Sequence, residues 1–113
     1  MKKILLNFVI LISACLFTLS GCKDDFETSK EQDEQELMAL YKEIETLAGQ
    51  FTCENAAEWK FVAIGAKACG GPTNYIAFSA KIDESGFLKK VATYTDQQKE
   101  YNVKWNIASD CMF

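Results

Sequence analysis

The chain has 113 residues, about a quarter of them charged, with a formal net charge of −4 and a pI near 4.8. All of its cations are lysines and histidine is absent, which excludes Ser-His-Asp and Cys-His catalysis, histidine-ligated zinc and a histidine pH switch. Without arginine it lacks the planar fork used on phosphates and base edges, and an acidic chain with scattered lysines is not expected to bind nucleic acid.

Met1-Lys2-Lys3 forms a positive n-region, and Ile4 to Leu19 is an apolar run broken only by Asn7, Ser13 and Thr18. This is the layout of a signal peptide, and it is shorter than the ~20 apolar residues of a transmembrane helix. Leu19-Ser20-Gly21-Cys22 closes the run. The quartet resembles the lipobox of bacterial lipoproteins, which implies that residues 1–21 are removed and that Cys22 becomes an acylated N-terminus. Two or three acyl chains on one cysteine satisfy the need for two membrane signals. Residues 22–113 then carry ten lysines against sixteen carboxylates, a net charge of −6. Lys23-Asp24-Asp25-Phe26-Glu27 resembles an acidic signal that one group of Gram-negative bacteria uses to export lipoproteins to the outer face of the outer membrane. A solvated polar tether explains the same residues. The organisation is thus a leader at 1–21, a lipidated cysteine and acidic tether at 22–34, and one small domain at 35–113.

Within the domain, Ser29 with Gln32 fits a helix-start capping box. Leu37, Leu40, Tyr41, Ile44, Leu47, Ala48 and Phe51 recur at helical spacing, with Gly49 as a natural stop. The stripe is best read as packing on the chain's own sheet. Thr52 to Glu58 is a loop, Trp59 to Ile64 a strand, Gly65 to Pro72 a glycine-rich turn, and Tyr75 to Ser79 a second strand, together an antiparallel hairpin. Asp83 caps a long helix over Glu84 to Trp105 that Asn102 or Asn106 could end, and Ile107 to Met112 reads as a last short strand. The order predicts an α+β domain, with two amphipathic helices on a short two- to three-stranded, largely antiparallel sheet.

Lys67-Ala68-Cys69-Gly70-Gly71-Pro72 is the most distinctive stretch. Its glycines permit positive φ and close backbone approach. Lys67 could lower the pKa of a Cys69 thiol, but a tight turn carrying a buried or bridged sulfur is the simpler reading. Together with Trp59, Gly65, Tyr75 and Ser109-Asp110-Cys111, this stretch resembles a group of small bacterial lipoproteins of no established activity. Members often continue past the Ser-Asp-Cys position into another strand with a further cysteine. This chain ends at Phe113, which implies a member lacking one strand and one disulfide partner.

Cys15 falls in the leader and Cys22 is the anchor, so Cys53, Cys69 and Cys111 remain, in an oxidising compartment. Cys53 and Cys69 bracket a strand that advances ~3.3 Å per residue, too far apart for the ~7 Å reach of a disulfide. A last strand parallel to the second would bring Cys111 to the Cys53 end. The expected bridge is therefore Cys53–Cys111, with Cys69 free or awaiting a partner outside the chain.

Carboxylate pairs are too numerous to be informative, and no cofactor or metal site is implied. Of Trp59, Tyr75, Phe78 and Trp105, one or two at most are expected to face a ligand. The functional expectation is a non-enzymatic, membrane-anchored binding or envelope role with an envelope or extracellular protein partner. Its contact loop comprises Lys67, Cys69, Gly70, Gly71, Pro72 and Tyr75. Inhibition of an envelope-attacking protease or lysozyme is one version, and thiol-dependent redox activity at Cys69 is the rival. Oligomeric state is not legible in the sequence.

Overall fold

The computed structural model describes residues 28–109 and Cys111. The leader, the lipobox with Cys22 and the acidic cluster lie outside the described residues. Helix α1 spans Lys30–Ala48, strand β1 Trp59–Ile64, strand β2 Asn74–Ser79 and helix α2 Glu84–Lys104, with a 3₁₀ turn at Ala56–Glu58 before β1. The fold is a small α+β domain with both helices on one face of a two-stranded antiparallel sheet.

Local chemistry accounts for the element ends. Ser29, in extended conformation, accepts the Gln32 N–H on its hydroxyl at 3.2 Å, one half of the expected capping box. Helix α1 therefore starts inside the stretch read as tether. Gly49 ends α1 at φ −86, a right-handed value open to any residue. Phe51 consequently falls past the helix and is exposed. Asp83 caps α2 by accepting the Gly86 N–H at 3.2 Å. At the far end Asn106 takes a left-handed φ of 48. The Asn106 N–H bonds to Val103 O and the Ile107 N–H to Asn102 O at 2.9 Å, the bonding pattern of a Schellman stop with asparagine in the place of glycine.

The core lies between the helices and the inner sheet face. Ile44 from α1, Ile64 from β1, Phe78 from β2, and Phe87 and Val91 from α2 are all buried. The Phe78 and Phe87 rings sit 4.7 Å apart, and Tyr41 stands 5.3 Å from Tyr94 where the helices meet. Val62 and Ile76 extend the inner face. Strand parity therefore sends Trp59, Phe61, Ala63, Tyr75 and Ala77 to the opposite face, where Phe61 is 77% and Tyr75 61% exposed.

The expected last strand is not formed by its described residues: Ile107–Ser109 and Cys111 have no strand pairing. The Schellman stop turns the chain back over α2's own end instead of launching it along the sheet. The expected Cys53–Cys111 bridge fails for the same reason. Cys111 is bonded to Cys69, with Cα atoms 5.9 Å apart, and Cys53 is unbridged and exposed.

Candidate contact surface

The segment from Gly65 to Tyr75 is fixed by side chains of α2 spaced three and four residues apart, so that they share one stripe. The Gly65 N–H donates to Thr95 Oγ1 at 3.0 Å, the Ala66 N–H to Gln98 Oε1 at 2.7 Å, and Asn102 Nδ2 to Ala66 O at 2.8 Å. Thr73 closes the loop from the other side, sending its N–H and its hydroxyl to Ile64 O at 3.1 and 3.0 Å. Within the loop, Lys67 N–H reaches Gly71 O at 2.9 Å and Gly70 N–H reaches Lys67 O at 3.0 Å. Gly70 and Gly71 take φ values of 103 and 82, which an L side chain rarely adopts. The disulfide then pins Cys69 to the residues that follow α2.

Gly65 is the tightest point. Its φ is 79, and a Cβ there would fall on Thr73 Oγ1 and stand 2.5 Å from Gln98 Oε1. Gly65→Ala is expected to destabilise the domain by about 1–3 kcal/mol through backbone strain and the clash. Gly71→Ala, which meets nothing within 4 Å, should cost less because only the φ strain applies. Urea melts of the two variants check the order.

The sequence-predicted contact residues are brought together at this end of the domain. Lys67 and Pro72 are half-buried, while Cys69, Gly70, Gly71 and Tyr75 are exposed. Cys69 is not the expected free thiol, because the turn after α2 delivers Cys111 to it. Cys53 lies beyond the opposite end of β1, away from the turn. Phe61 is the residue that sequence reasoning missed. Its ring meets Tyr75 edge-on at 6.3 Å between centroids, and both are largely exposed. The strand pattern gave no signal for this, since apolar residues occupy both of its faces.

Beside the turn, a second side-chain cluster joins the helix ends. Asp33 of α1 accepts from Lys104 Nζ at 2.8 Å and from Trp105 Nε1 at 2.9 Å on one oxygen, and from the Thr28 hydroxyl on the other. Lys104 Nζ also stands 4.9 Å from the Trp105 ring centroid. The Lys104 hydrogen bond first, and the Thr28 bond next, hold the Asp33 carboxyl at about 2, below its ordinary 3.8. A carboxyl whose folded pKa is depressed adds stability above its unfolded value and loses it as the pH falls through the folded one. Acid titration between about pH 4 and pH 2 should therefore weaken the domain, and Asp33→Asn should reduce that dependence. Unfolding midpoints measured across this range check it.

A groove of about 620 Å³ opens between the helices beside Thr73 and Asn74, with Met38, Tyr41, Tyr94 and Tyr101 among its lining. Burial pushes the Tyr94 and Tyr101 phenols up, and the carboxylates of Glu34 and Asp33 add to the shift at Tyr101. The helix periodicity gave no sign of this opening, because it assigns residues to a face without showing how closely two faces meet. Among the described residues, no group of three His, Cys, Asp or Glu side chains could hold a metal ion, and no helix is long and apolar enough to cross a membrane. Comparisons with family models, with curated proteins and with solved structures give no match to this chain.

Proposed function

We propose that this chain is a non-enzymatic binding domain held in the bacterial envelope by lipid on Cys22, displayed at the outer membrane and facing the cell surface. Its contact surface is the turn from Lys67 to Tyr75 together with Phe61. The observation that carries the reading is the exposed Phe61–Tyr75 pair beside a turn tied to α2 by three side chains and a disulfide. Ordering such a turn in advance lowers the entropy lost when a partner is met, and large exposed aromatic side chains are frequent anchors of binding surfaces. With Cys69 bridged, the turn acts as a scaffold and not as a nucleophile. A photoreactive residue placed at Tyr75 of the full chain in intact cells should give adducts that the same residue at Glu54 does not. Equal yields from the two positions would overturn the assignment of this surface.

A further inference from the structure

The outer face of the hairpin presents Trp59, Phe61, Ala63, Tyr75 and Ala77, with Ser79 at its end buried. None of these is charged, in a chain where charged residues make up a quarter of the total. We propose that the partner of the contact surface is the bilayer that carries the Cys22 anchor, with this sheet face lying against its headgroup layer. The inference rests on the reading of Cys22 as the lipid anchor.

Three observations favour lipid over a protein strand or an acidic partner. The first is residue type and charge placement. Trp and Tyr are the side chains enriched at bilayer interfaces, where an apolar ring meets water at one edge. The carboxylates of Glu31, Asp33, Glu34, Glu36, Glu43 and Glu45 all belong to α1, in the layer on the far side of the sheet. Laying the sheet face down turns that negative layer away from the headgroups.

The second is reach. Seven residues, 23–29, separate Cys22 from the first residue of α1, and their extended length is at most ~25 Å. The start of α1 lies at the turn end of the domain, since Thr28 bonds Lys104 while Asn102 holds Ala66. Packed layers are ~10 Å apart. The tether is therefore long enough for the sheet to rest on the bilayer and short enough to keep it close, which raises the effective concentration of a weak second contact.

The third concerns the strand edges. The Ala80 N–H bonds to Glu58 O, and by the alternation of an antiparallel ladder the outer-face residues direct their backbone groups to the open edges. Several of these groups are already taken. The Trp59 N–H is held by Ala56 O, the Tyr75 N–H by Asn74 Oδ1, and Ser79 O by the Ile82 N–H. These three groups, at or next to the strand ends, are thus unavailable to an added strand, while contact with the face uses none of them.

The lipidated full chain, reconstituted in vesicles of phosphatidylethanolamine and phosphatidylglycerol brominated in the acyl chain, tests the proposal. With Trp105→Phe, leaving Trp59 as the reporter, tryptophan emission should be quenched at least twice as strongly as with Trp59→Phe. Adding Phe61→Ser and Tyr75→Ser to the Trp105→Phe chain should abolish the excess. A second readout needs no tryptophan variant: amide exchange at Phe61 and Ala77 should slow several-fold on vesicles compared with the Cys22→Ser chain in buffer. Equal quenching and unchanged exchange, with acylation of Cys22 confirmed by intact mass, would overturn the bilayer as partner while leaving the anchor in place. A Cys22 found without acyl chains would overturn the anchor reading, and the proposal with it.

Discussion

Breaking the Cys69–Cys111 bridge, by Cys69→Ser or by reductant, is expected to lower the unfolding free energy by about 2–4 kcal/mol. The two cysteines are 42 residues apart in sequence. A closed loop of that length removes ~4 kcal/mol worth of freedom from the unfolded chain on the chain-entropy account, an upper figure because the unfolded state retains structure. For a domain of this size the melting temperature should fall by about 10 °C or more. Cys53→Ser is the control, since Cys53 is exposed and unbridged and its replacement should leave the melt unchanged. Thermal melts with and without reductant give the answer: if reductant has no effect on the native chain, the bridge does not contribute. An effect that persists in Cys53→Ser but vanishes in Cys69→Ser assigns the stabilisation to this pair.

Phe78→Ala is expected to cost about 3–5 kcal/mol, enough to leave a domain of this size largely unfolded. Phe78 is 2% exposed and packs at a tilt against Phe87 between the sheet and α2, so truncation leaves a void that the other core residues Ile44 and Ile64, themselves fully buried, cannot collapse to fill. The same chemical change at Phe61, which is 77% exposed on the other face of the same hairpin, should change stability by less than about 0.5 kcal/mol. Denaturant melts of the two alanine variants read this contrast directly. A large loss from Phe61→Ala would show that the outer face is covered in the folded protein.

The two helices and the hairpin were legible because their signals are local. Ser29 and Asp83 cap helices through their own side chains, and the strands are bounded by Gly65, Pro72 and a polar segment. Fold class followed from element order alone. Two features were not legible, for one physical reason each. The bridge partner of Cys69 depends on where the chain travels after α2. That direction is set by the left-handed turn at Asn106, a conformation that asparagine tolerates but does not announce. The choice between the two faces of β1 was equally hidden. Lys60 sits on the same side as Val62 and Ile64 and points away from an inward reading, so only the packing of Phe78 and Phe87 settles which face is covered. The site residues from Lys67 to Tyr75 could be nominated from composition. The stripe of Thr95, Gln98 and Asn102 that holds them reads in sequence only as the polar side of a helix.

The clasp between the helix ends also decides how the domain carries tension. If the chain is pulled from residue 28 while the turn is held by what it touches, force enters at Thr28 and Asp33, crosses to Lys104 and Trp105, descends one turn of α2 to Asn102, and leaves through Ala66. That load path runs through polar contacts at one end and bypasses Ile44, Ile64 and Phe78 altogether. The clasp is the fuse, and the core is out of circuit: pulling should first free the start of α1 while the hairpin and α2 stay folded behind it.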